Sequence, residues 1–116
     1  MTDDPPRSDD DTGAAPHVDS VDAFEKLTAS DGTVLVDFYA DWCGPCQLMA
    51  PTVDDLASES EATVVKLDVE AVPQVAAAYD VKSIPSFVVF EDGTPTERLV
   101  GMQDEAQLRT AVENLA

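Results

Sequence analysis

The stretch Val34-Leu35-Val36-Asp37-Phe38-Tyr39-Ala40-Asp41-Trp42-Cys43-Gly44-Pro45-Cys46 changes character once along its length. Val34 to Tyr39 is β-branched and aromatic, and apolar on both faces apart from Asp37. That is the pattern of a central strand in a sheet covered on both sides. The spacing then predicts a helix from about Cys43 to Glu59, with Cys46, Met49, Ala50, Val53, Leu56 and Ala57 on one face. Pro51 lies inside it, cannot donate to the Gln47 carbonyl, and is expected to kink it. A pair of cysteines therefore sits where a strand ends and a helix begins.

Working outward, Asp19 or Ser20 is placed to cap a helix running to about Ser30, with Val21, Phe24 and Leu27 on one face. Asp31-Gly32 is a turn signal. Before that helix only Pro16-His17-Val18 is available to form a strand, and His17 reads as a surface residue. Downstream, Thr63 to Val69 reads as a strand, and Pro73 opens a short helix where its missing N–H is harmless. Ser86 to Phe90 and Thr96 to Val100 flank Asp92-Gly93 as an antiparallel hairpin. The last helix starts near Asp104 with Gln107 three residues on, and carries Leu108, Ala111, Val112 and Leu115 on one face. The order α-β-α-β-α-β-β-α predicts an α/β fold, a single domain over residues 17–116 around a central mixed sheet.

Residues 1–16 are read as a disordered acidic tail: they hold Pro5, Pro6 and Pro16, five Asp, one Arg and almost no large apolar side chain. The whole chain of 116 residues has 24 acidic and 6 basic side chains, a net charge of −18. Phosphate neutralisation needs clustered Lys and Arg, so nucleic acid is not an expected partner. An anionic membrane surface would repel the chain. Its longest apolar run, Val75 to Tyr79, is five residues, against about 20 for a membrane-spanning helix. The N-terminus Met-Thr-Asp-Asp-Pro-Pro shows neither the basic nor the apolar region of a secretory signal. A cytoplasmic protein is expected, with a monomer as the default.

The chemistry-bearing motif is Trp42-Cys43-Gly44-Pro45-Cys46. Cysteines at i and i+3 of a helix start can come within disulfide reach. Free N–H groups and the positive helix end favour a thiolate at Cys43. Cys46 lies on the core-facing stripe and is expected to be the less exposed. The predicted cycle has Cys43 attack a substrate disulfide and Cys46 resolve the mixed disulfide. Zinc competes for such a pair, but two Cys and one His fall short of four ligands. A structural disulfide is the other competing use. Asp37 is costly to ionise inside an apolar strand, and burial should raise its pKa.

The segment Val36 to Cys46 resembles the active-site stretch of the thioredoxin family. Ile84-Pro85-Ser86 resembles that family's Ile-Pro-Thr segment, and Phe90-Glu91-Asp92-Gly93 with the later Val100-Gly101 resembles its hairpin and following glycine. The likeness covers roughly residues 18–116. It implies the thioredoxin fold, helices on both faces of the sheet, and a protein-disulfide reductase. It implies that Asp37 moves a proton to and from Cys46, with Lys66 near that acid. It implies a cis bond before Pro85, with Ile84 offering backbone groups to an extended client chain. Trp42, Gly44, Pro45, Ile84 and Gly101 would form the apolar surface around Cys43. Disulfide-bearing client proteins and a thioredoxin reductase are the implied partners. The implied redox group is the Cys43–Cys46 pair itself, with no metal and no other cofactor.

The sequence departs from the family pattern in three places: the first strand expected before the first helix is nearly missing, with only Pro16-His17-Val18 available, and two side chains differ. Gln47 stands where Lys or Arg is common, and Tyr39 replaces a common Trp. Met49 and Met102 read as packing residues. Two other functions compete: a disulfide oxidant or isomerase, and a binding module that uses the fold as a docking surface. The acid excess, 16 Asp and 8 Glu against three Lys, points to a halophilic protein of a salt-rich cytoplasm, because molar salt screens like charge to about 3 Å.

Overall fold

A computed structural model describes residues 15–113. Along the chain run β1 (His17–Val18), α1 (Val21–Thr28), β2 (Thr33–Tyr39), α2 (Gly44–Glu59), β3 (Thr63–Asp68), α3 (Pro73–Ala78), β4 (Ser86–Glu91), β5 (Thr94–Val100) and α4 (Glu105–Glu113). The strands form one sheet in the order β1-β3-β2-β4-β5. β1 and β2 both run parallel to β3, while β4 is antiparallel to β2 and β5 to β4. The architecture is thus the mixed sheet, covered by helices on both faces, of a thioredoxin fold.

Alternation along the central strands sorts the core. Leu35, Val64, Phe87 and Val89 face one way and pack with Met49, Val53 and Leu56 of α2 and Leu108, Ala111 and Val112 of α4. Val34, Val36, Phe38, Val65, Val88 and Phe90 face the other way and pack with Phe24 of α1 and Val75 of α3. Phe38, Phe87 and Phe90 are fully buried, and each contributes about 1.5–3 kcal/mol by leaving water.

Local chemistry fixes the ends. The Ser20 side chain accepts from the Ala23 N–H at 3.0 Å, so Ser20 caps α1. Asp104 and Gln107 bond reciprocally, each side chain accepting the other's N–H at 2.8 Å, a full capping box for α4. Asp92 and Gly93 both take positive φ, 52° and 89°, the requirement of a tight two-residue hairpin turn. Pro51 lies within one uninterrupted helix. β5 begins at Thr94 rather than Thr96, with a register shift between Val89 and Phe90 absorbing the extra length.

Two readings at the N-terminal side are corrected. A first strand does form: His17 pairs with Lys66 and Val18 with Leu67, because two residues suffice to extend an edge that β3 already offers. The packed chain also includes Ala15 and Pro16, which composition alone places in the tail. Ala15 is buried in the core against α2, its N–H donates to Asp54 Oδ1 at 3.1 Å, and the Pro16 carbonyl accepts from the Lys66 N–H at 2.9 Å. The rest of the proposed tail, and Leu115 of the last apolar stripe, lie outside the described residues.

Candidate active site

Cys43 is the N-cap residue of α2, and its Sγ accepts from the Cys46 N–H at 3.1 Å. Gly44 and Pro45 supply the first turn, where the missing N–H of Pro45 leaves no bond unmade. The two cysteines are joined as a disulfide with Cα atoms 5.2 Å apart. They pack with Ala40, against which Tyr39, Val69 and Ile84 also lie.

Cys43 is 3% and Cys46 5% exposed, so the expected contrast between an open Cys43 and a covered Cys46 is absent. Cys43 packs in one buried cluster with Ala40 and Cys46, and Ile84 lies against that cluster. When Cys43 is reduced, the Cys46 N–H is positioned to stabilise its thiolate, together with the positive end of a sixteen-residue helix. Gln47, which brings no charge, donates from its side chain to the Asp41 carbonyl at 3.2 Å and braces the loop ahead of the cysteines.

Trp42 stands 67% exposed beside the pair, and its Nε1–H donates to Glu70 Oε2 at 2.6 Å. Opposite lies Ile84-Pro85, joined by a cis peptide bond. The Pro85 carbonyl accepts from the Gly101 N–H at 2.8 Å, which brings the end of β5 to the same rim. Gly101 has φ +87°, a conformation that favours glycine. Its neighbours Val100 and Met102 are both more than half exposed, so Met102 is a surface side chain rather than the packing residue expected; Met49 is buried.

A charged cluster joins β2, β3 and α2. Asp37 is 3% exposed and its Oδ1 is buried without a hydrogen-bond partner. It lies on the sheet face that α2 covers, two residues from Leu35. Burial pushes its pKa up to about 7, against a smaller lowering by Lys66 and a further rise from Asp54. Lys66 sits beside Asp37 in the parallel β2–β3 register. Its Nζ nevertheless reaches Asp54 Oδ1, at 3.6 Å, and its side chain is only 14% exposed. Tyr39, pushed up to about 12 chiefly by burial, bonds through its hydroxyl to His17 Nδ1 at 2.8 Å.

Sequence reasoning missed Glu70 and Asp54. Glu70 lies in the turn after β3 and carries no local signal. Asp54 had one: it borders the apolar stripe of α2 between Ala50 and Ala57. Among the described residues no group of three or more His, Cys, Asp or Glu could hold a metal ion, and no helix is long and apolar enough to cross a membrane.

The family model "Thioredoxin" matches residues 15–114. A thioredoxin of Staphylococcus aureus is 42% identical over 100 residues, spanning 78% of this chain and 96% of that protein. Among solved structures, a point mutant of the thioredoxin from Halobacterium salinarum is 40% identical, with a TM-score of 0.83 over 88% of this chain and 90% of that one. Schistosoma mansoni thioredoxin is 26% identical with a TM-score of 0.82, over 90% and 97%.

Proposed function

This chain belongs to the thioredoxin family, and from that premise we propose that it runs its Cys43–Cys46 cycle in the reducing direction, on protein disulfides. It is a dithiol–disulfide oxidoreductase. The observation that carries the division of labour is the cap: Cys43 Sγ, and not Cys46 Sγ, faces a donor N–H at the helix mouth.

The steps balance on two sulfurs. The Cys43 thiolate attacks one sulfur of the client disulfide; that bond breaks, and the departing thiolate takes a proton from water. The Cys46 thiol then gives its proton to the Asp37 carboxylate and attacks Cys43. The second client sulfur leaves as a thiolate, and Cys43–Cys46 forms. The client gains two electrons and the pair loses two. An acceptor titrating near neutrality suits a thiol whose ordinary pKa is about 8.5.

No metal or further cofactor enters these steps. Trp42, Gly44, Pro45, Ile84, Pro85 and Gly101 form the client surface, where Ile84 offers backbone groups to an extended segment. Family members act on disulfide substrates and are reduced by thioredoxin reductase; we assign this chain the same kind of reductase, a monomeric state and a cytoplasmic, salt-rich setting. The acid excess supports that setting.

Equilibration of the pair with a glutathione buffer in molar KCl tests the direction. About 30 mV shifts this two-electron equilibrium tenfold. A potential well below that of glutathione is expected. One well above it would overturn the reductase reading in favour of an oxidant or isomerase.

A further inference from the structure

Lys66 is placed to pair with Asp37 and does not. The two are direct neighbours on parallel strands, on one face of the sheet. Opposite charges so placed normally attract. Instead the Lys66 ammonium lies 3.6 Å from Asp54 on α2, and Asp37 Oδ1 has no partner. The same Asp54 oxygen accepts the Ala15 N–H at 3.1 Å.

One cation and two carboxylates cannot all be charged at little cost in a dry site. The side chain of Asp54 is 35% exposed and has an ammonium and an amide to stabilise its charge. Asp37 has burial and no such donor on Oδ1. Of the two carboxylates, Asp37 is therefore the one that takes up a proton more readily. Ala15, itself 1% exposed, and Pro16, whose carbonyl accepts the Lys66 N–H, close the Lys66–Asp54 pair from the N-terminal side.

We propose that Asp54 is a positioning residue of the redox cycle: it holds the Lys66 ammonium off Asp37 and so keeps Asp37 free to exchange a proton with Cys46. This rests on the reading of Asp37 as the proton acceptor of the resolving step. The groups facing Asp37 are few. β3 presents Lys66 and β4 presents Phe87 in register with Asp37, α2 brings Asp54, and Tyr39 follows on the same strand; the α4 residues packed on this sheet face, Leu108, Ala111 and Val112, are apolar. The charge on Asp54 raises the proton affinity of Asp37, and that on Lys66 lowers it.

The test is a carboxyl ¹³C titration of Asp37 in the full-length oxidised protein. In Asp54→Asn the amide oxygen can still accept the Ala15 N–H, but the claim on Lys66 is lost. The Asp37 midpoint should fall by about one pH unit, a tenfold loss of proton affinity. Asp54→Glu should restore it. In a Lys66→Gln background the shift caused by Asp54→Asn should shrink, because no ammonium remains to be released.

An unmoved midpoint in Asp54→Asn would overturn the proposal. So would an equal shift with and without Lys66, which would mean that Asp54 acts by its own charge alone. The titration involves neither client nor reductase, so a failed reductase reading leaves its outcome distinguishable. A matching slowing of Cys46 attack on a preformed Cys43 mixed disulfide, in Asp54→Asn and not in Asp54→Glu, would tie the shift to the cycle.

Discussion

The Gly101 amide donates to the Pro85 carbonyl at 2.8 Å, and this bond ties the end of β5 to the residue that follows Ile84 on the rim of the cysteine pair. Gly101 makes the approach with φ +87°, and a Cβ there would meet nothing within 4 Å. Gly101→Ala should therefore fold, with the backbone conformation as its main penalty. A loss of about 1–2 kcal/mol is expected by urea unfolding. An unchanged midpoint would mean that the turn does not need its left-handed residue.

Asp37 makes stability depend on pH in a particular direction. Its pKa is raised from 3.8 to about 7, so the folded state binds the proton more tightly than the unfolded chain. Its stabilising contribution is full below about pH 4, falls as the pH rises, and is gone above about pH 7. Asp37→Asn is neutral throughout. In the oxidised protein, the unfolding free energy of the variant relative to the parent should rise between these limits by roughly 4 kcal/mol. Chemical denaturation at stepped pH measures this. A difference that stays constant would contradict the burial of an ionisable Asp37.

Trp42 is the only tryptophan, so its indole N–H resonance needs no further assignment. Glu70→Ala removes the acceptor of that N–H. A net hydrogen bond of about 0.5–1.5 kcal/mol corresponds to exchange with water faster by about two- to tenfold. Unchanged exchange would show that the Trp42–Glu70 bond does not restrain the indole in solution.

The charge pattern predicts a response to salt. Arg109 of α4 contacts Glu59 of α2 and both Glu105 and Glu113 of its own helix. Lys26 and Lys82 are exposed and pair with Asp22 and Asp80. With 24 acids and 6 bases in the chain, unscreened repulsion outweighs these exposed pairs, each of which contributes about 0–1 kcal/mol. Tm should climb by several degrees from 0.1 to 3 M KCl. A flat profile would remove the support for a salt-rich setting.

Much of this was legible because the signals were local. Val34 to Tyr39 has the pattern of a covered strand, Asp19 or Ser20 and the Asp104/Gln107 box announced their helices, and Asp92-Gly93 announced its turn; the structure selects Ser20 as the first cap. The cysteine pair was readable for the same reason, since spacing and helix start are adjacent in sequence. Long-range features were not. β1 exists because β3 offers an edge to His17 and Val18, which a two-residue window cannot reveal. The buried cluster of Cys43 is packed against by Ile84, about forty residues away. Asp54 and Lys66 meet only because α2 crosses over β3, and Glu70 reaches Trp42 from the turn beyond that strand.

The division of labour between the two cysteines is tested most directly by trapping. Each single variant, Cys43→Ser and Cys46→Ser, is mixed with a disulfide-bonded client protein, and covalent adducts are identified by non-reducing mass spectrometry. Cys46→Ser should accumulate a mixed disulfide at Cys43, and Cys43→Ser should accumulate none. Adducts forming through Cys46 in Cys43→Ser, with none at Cys43 in Cys46→Ser, would contradict the assignment of Cys43 as the attacking sulfur.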